Sequence, residues 1–149
     1  MNTLFDIESN KKIIERINKL NPSSPGEWGK MSVSQMLAHC SATLETAIGN
    51  KREKRDFLGY LFGGIAKKQA LSDKPIKKGL PTSKIFKVTS DKNFEEEKSK
   101  LISLVSRFAE LGTQGVKNYP HPFFGYMTAE EKGIIQLKHL DHHLSQFGV

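Results

Sequence analysis

A single cysteine, Cys40, in a chain of 149 residues excludes an intramolecular disulfide and a cysteine-based zinc knuckle, and it suits a reducing compartment. Long apolar runs are missing as well, since no stretch approaches the roughly 18 consecutive apolar residues of a membrane-spanning helix. The stretch Met1 to Glu8 has no basic region followed by an apolar run, Asn2 stands where myristoylation needs glycine, and no prenylation box closes the chain. These absences predict a soluble, cytoplasmic protein with no membrane partner. Strand-like alternation is scarce, and neither internal repeats nor low-complexity tracts occur.

The length suits one domain, 1–149, with a core of its own. The formal charge of +7, from 23 basic and 16 acidic residues, invites a nucleic-acid reading. The basic residues, however, gather in Lys51–Arg55 and Lys67–Lys87, and no helix carries a sustained basic face interleaved with exposed aromatics. A solvated connecting region explains that distribution more simply, so nucleic acid is not an expected partner.

Helical signals fill the rest. Ile13, Ile14, Ile17 and Leu20 recur at helical spacing before Asn21-Pro22, which predicts a first helix over about 7–20. Ser32 followed by Gln35 forms a capping box, opening a second helix that runs to about Ile48 and stops at Gly49. Cys40 lies on its apolar stripe with Val33, Met36, Leu37 and Leu44, the place of a small buried hydrophobe and not of a reactive thiol. The segment 57–66 is apolar all round but holds three glycines, which predicts a broken or short helix. Residues 72–89, with Pro75, Gly79 and Pro81 among lysines, read as a long crossover loop, long enough to border a site. Ser90 or Asp91 caps the next helix, whose stripe runs from Phe94 through Leu101, Leu104, Val105, Phe108 and Leu111 to a stop at Gly112.

The last helix carries three of the five histidines. Thr128 and Glu131 make a second capping box, and Leu137, Leu140, Leu144 and Phe147 line up as its core stripe. His139 and His143 stack on the flank of that stripe, four residues and about 6 Å of rise apart, so two imidazoles can converge on one ion. His39, displaced from the stripe of the second helix in the same way, is the natural third ligand. A lone histidine is more simply a hydrogen-bonded residue; the pair at i and i+4, matched by a third ring on another helix, points to metal. Gln35 and Gln146 share a face with these ligands and are candidates to orient a ring. His142 points to the other edge of the last helix, and His121 sits in a rigid loop between Pro120 and Pro122; both are candidates for proton transfer.

Four or five helices without strands predict an all-α antiparallel bundle, with a long crossover loop and one extra short helix. Three segments, Trp28 to Cys40 (WGKMSVSQMLAHC), His121 to Gly125 (HPFFG) and Lys138 to Gly148 (KHLDHHLSQFG), together resemble the DinB/YfiT-like superfamily of metalloenzymes, in an uncharacterised branch. The resemblance covers nearly the whole chain. It implies a DinB-like four-helix bundle, often a homodimer, with a metal on three histidines at the places of His39, His139 and His143. Characterised relatives include transferases and isomerases that use low-molecular-weight thiols. The ending Leu144-Ser145-Gln146 departs from the commoner His-His-Arg-Gly-Gln of that superfamily.

The expected function is therefore a metal-dependent enzyme, of hydrolase or thiol-dependent transferase type, acting on a small molecule. A divalent ion, zinc or nickel, would hold or activate the water or thiol nucleophile. The alternative is a non-catalytic helical bundle that binds metal or a small ligand.

Overall fold

A computed structural model describes residues 1–149. The chain is all-helical, with α1 (Ile7–Lys19), α2 (Val33–Ile48), α3 (Phe57–Ala70), α4 (Phe94–Gly115) and α5 (Ala129–Gln146), a 3₁₀ turn at Lys84–Phe86, and no strand. No helix is long and apolar enough to cross a membrane. The capping chemistry sets the helix starts. Ser32 accepts from the Gln35 amide while its own amide donates to Gln35 Oε1, and Thr128 and Glu131 repeat the exchange at α5. Gly49, at φ 89°, ends α2 in the left-handed region that favours glycine.

One core joins four of the helices. Ile13 and Ile17 of α1, Met36, Leu37, Cys40 and Leu44 of α2, Leu101, Val105 and Phe108 of α4, and Leu140 and Leu144 of α5 are all buried in it. α2 packs on α4 and on α5, and α1 bridges α4 and α5 from the other side. Buried Asn10 supports this arrangement from within, donating from Nδ2 to the carbonyls of Leu4 and Val105. Cys40 is fully buried, with its thiol directed at Met36 Sδ 3.7 Å away, and burial pushes its pKa up, as its place on the apolar stripe predicts.

Three local expectations change. α4 is capped by Asn93, which accepts from the Glu96 amide, in place of Ser90 or Asp91, because the helix starts at Phe94, whose ring is buried. Gly112, at φ 60° and ψ −176°, breaks α4 as expected, but one more turn continues to Gly115. α3 is neither broken nor short: it runs without interruption for 14 residues. Its glycines are the reason it docks as it does. A Cβ on Gly59 would stand 2.6 Å from the Phe123 carbonyl oxygen, and one on Gly63 would run into the same oxygen, so the helix rests on the 122–124 backbone by its glycine face.

The segment between α3 and α4 wraps α5 as a strap. Lys138 holds its start, donating from Nζ to the carbonyls of Ala70, Ser72 and Lys74 at 2.6–2.8 Å. Lys78 lies over the Trp28 ring, 4.1 Å from its centroid, and the strap then returns through the 3₁₀ turn, whose Phe86 is buried.

Candidate metal centre

The packing of α2 on α5 brings the three sequence-predicted rings together. The centroid of His39 lies 4.9 Å from that of His139 and 4.8 Å from that of His143, and the two α5 rings are 4.6 Å apart. One ligand atom from each lies within 4.8 Å of the others, so the cluster could hold a metal ion. His39 and His143 are only 4% and 8% exposed, and His139 is half-buried.

Hydrogen bonds fix which nitrogens face inward. His39 Nδ1 donates to the Phe86 carbonyl at 2.8 Å, which leaves the Nε2 lone pair free. His143 Nδ1 donates to Gln146 Oε1 at 2.7 Å, and Gln146 Nε2 in turn donates to the Trp28 carbonyl at 2.8 Å. His143 Nε2 is therefore free as well. His39 Nε2 and His139 Nε2 approach to 2.9 Å. Because the proton of His39 already sits on Nδ1, the one shared across this contact belongs to His139. His139 Nδ1 is then an acceptor, buried with no partner. An unpartnered buried polar atom costs on the order of 1–3 kcal/mol.

The cluster thus holds more lone pairs than donors, and no carboxylate stands among its three ligands. A cation among the three rings would take up the free Nε2 lone pairs of His39 and His143, and binding at His139 Nε2 would move that ring's proton to Nδ1. Nitrogens each about 2.1 Å from a common ion stand roughly 3 to 3.5 Å apart at ordinary ligand angles. The 2.9 Å pair is near that separation, and ring rotation would supply the remaining adjustment at His143.

Electrostatics keep the rings neutral. Burial, then the Phe86 hydrogen bond acting in the opposite sense, leaves the His39 pKa below its ordinary value. His143 is pushed down to about 4, chiefly by burial and then by neighbouring His39. His139 lies well below the ordinary value for the same two reasons. Neutral imidazole is the form that binds metal.

The remaining candidates divide. His142 is half-buried, its ring 5.5 Å from Trp28 and 5.1 Å from His143, and burial lowers its pKa. His121 Nδ1 accepts from the amides of Phe123 and Phe124, both at 3.1 Å, so its proton sits on Nε2. Burial, followed by the charges of Lys132 and Arg55, pushes it down to about 4. Its ring lies 5.9 Å from that of Phe86, whose carbonyl holds His39, and it lines a cavity of about 10 Å³ with Lys132 and Gln136, room for about one water. Gln146 reaches a ligand, whereas Gln35 is occupied by the capping box and the Ser90 carbonyl. The Phe86 and Trp28 carbonyls carry no sequence signal, since every residue has one. The only hint was a loop long enough to border a site.

An all-helical protein with a three-histidine cluster inside its core, its tautomers set by a strap and by a glutamine, is the class that fold and site define. The chain belongs to the family described as Protein of unknown function (DUF1569), whose model matches residues 2–148. Comparison with curated proteins and with solved structures finds no match.

Proposed function

We propose that the chain is a DinB-like four-helix bundle in which His39, His139 and His143 hold a divalent cation, zinc or nickel, in an enzyme of hydrolase or thiol-dependent transferase type. One observation carries the reading: two rings from different helices each give the Nδ1 proton to a carbonyl oxygen, which leaves both Nε2 lone pairs free, and His39 Nε2 stands 2.9 Å from Nε2 of the third ring. Any buried ring needs an acceptor for its proton, so what favours an ion is that the three rings with these free nitrogens lie together. When bound, the cation would acidify a water or a small thiol and so provide a nucleophile near neutral pH.

The chain's own residues perform the other tasks. The Phe86 carbonyl and Gln146 orient the ligand rings, and their acceptance of the Nδ1 protons raises ligand basicity. Three protein ligands leave room for a small-molecule substrate, such as a low-molecular-weight thiol. His142, half-buried and with its ring 5.1 Å from that of His143, would take a proton from the reacting group. His121, neutral and with Nδ1 already occupied, acts as a hydrogen-bond donor through Nε2 and not as a base.

Metal analysis of the untagged protein tests this directly. We expect about one ion per chain in wild type and none in His39→Ala or His139→Ala, with thiol-conjugating or hydrolytic turnover lost alongside. Equal metal content in wild type and variants would reject the ligand set. A second reading, a non-catalytic metal-binding protein, is favoured by the burial of His39 and His143 beneath the Phe86 turn. Full metal loading with no turnover in such a screen would select it.

A further inference from the structure

Of the eleven large apolar side chains that stand exposed, six lie on α3: Phe57, Leu58, Tyr60, Leu61, Phe62 and Ile65. At about 100° per residue, Gly59 and Gly63 share one side of the helix, and Leu58, Leu61 and Ile65 centre on the opposite one. Docking through glycine thus turns the large side chains outward. Phe57 and Ile65 are each 73% exposed. With whole aromatic side chains at roughly 150–250 Å² and aliphatic ones somewhat less, the patch amounts to about 700 Å², above the few hundred usual on a monomer.

Charge identifies what would cover it. Residues 51–78, which contain α3 and both its flanks, hold nine lysines and arginines against three acidic residues, so this segment alone accounts for +6 of the +7 on the whole chain. Arg55 stands 4.4 Å from the Tyr60 ring centroid, at the edge of the patch, and Lys54 and Lys68 are exposed with no acidic partner. A second copy docking here would set this positive segment against itself. An anionic lipid surface complements both parts at once, taking apolar side chains at the acyl boundary and cations at the headgroups. With no helix able to cross a bilayer, α3 would lie in the plane of that surface.

We propose that α3 and its basic flanks form a membrane-surface site for anionic lipid, in place of the absence of a membrane partner that the sequence led us to expect. The proposal is independent of metal binding. Flotation of the full chain with vesicles of phosphatidylcholine, alone or mixed with phosphatidylglycerol, tests it. Binding to the mixed vesicles should be at least about tenfold tighter and should weaken as salt is raised. Ile65→Ser or Phe62→Ser should lower it by about tenfold, and Lys54→Glu with Lys68→Glu should lower it by at least as much while removing the preference for anionic lipid. Ellipticity and melting of each variant show that the fold persists, and the lipid and salt dependence of wild type needs no variant. Equal partition onto neutral and anionic vesicles would overturn the proposal. So would a failure to float together with a dimer in solution that Ile65→Ser dissociates, since the patch would then belong to a second copy.

Discussion

The space between α2 and α5 and the outer side of α3 break the same rule in opposite directions. In the first, three imidazoles sit in a core where aliphatic side chains would ordinarily pack; in the second, six large apolar side chains face outward. Their costs are managed differently. The interior rings are held by carbonyl acceptors that consume two of their three protons, so the departure is fixed by specific partners. The outer side of α3 has no such partners within the chain, and only its glycine side is tied down. A buried exception is built by hydrogen bonds that specify one arrangement, whereas an exposed one is built by withholding contacts.

Acid should separate the two regions most sharply. His121 and His143 titrate near 4 in the fold but near 6.5 unfolded, so between those values the unfolded chain binds more protons. Stability of the metal-free protein is therefore full above about pH 6.5 and falls as pH drops toward 4, by on the order of 3 kcal/mol for each of the two groups. Denaturant titrations at a series of pH values measure this; a flat profile would mean that the fold leaves these rings at their ordinary pKa. The α3 surface contributes nothing to the slope, so Ile65→Ser should reproduce it.

Gly63→Ala comes next, because its methyl would enter the Phe123 carbonyl. A loss of roughly 1–3 kcal/mol is expected in thermal or denaturant unfolding. A neutral result would show that α3 is not seated on this backbone. Gln146→Leu should then weaken metal binding by about 10- to 100-fold while leaving helicity intact, since it removes the acceptor that sets the His143 tautomer. Competition with a chelating dye reads this out, and unchanged affinity would remove Gln146 from the centre. The smallest effect belongs to the exposed region: Phe57→Ser and Ile65→Ser should alter unfolding free energy by less than about 0.5 kcal/mol. A larger loss would show that these side chains are packed.

The helix starts and the ring cluster were legible because their signals are local. Ser32 with Gln35, and Thr128 with Glu131, are capping pairs three residues apart, and His139 and His143 are one helical turn apart; His39 followed from its matching place on α2. Sequence alone sets the cap of α4 two or three residues early because Ser90, Asp91 and Asn93 are all competent caps, and only the burial of Phe94 decides among them. α3 departs from its sequence pattern for a physical reason. Glycine lowers helix propensity by about 1 kcal/mol per residue, but here it is what permits backbone-to-backbone seating, a tertiary contact that propensity does not contain. Gln35 carried two signals at once, a cap and a face shared with His39, and the local one prevailed.

Lys138 immediately precedes His139, and its ammonium is bound to the carbonyl that ends α3 and to two carbonyls of the strap. The anchor of the strap and the central ring of the cluster are thus consecutive residues on one rigid rod. A change in how the wrapping segment sits would therefore bear on the same turn of α5 that carries the imidazole.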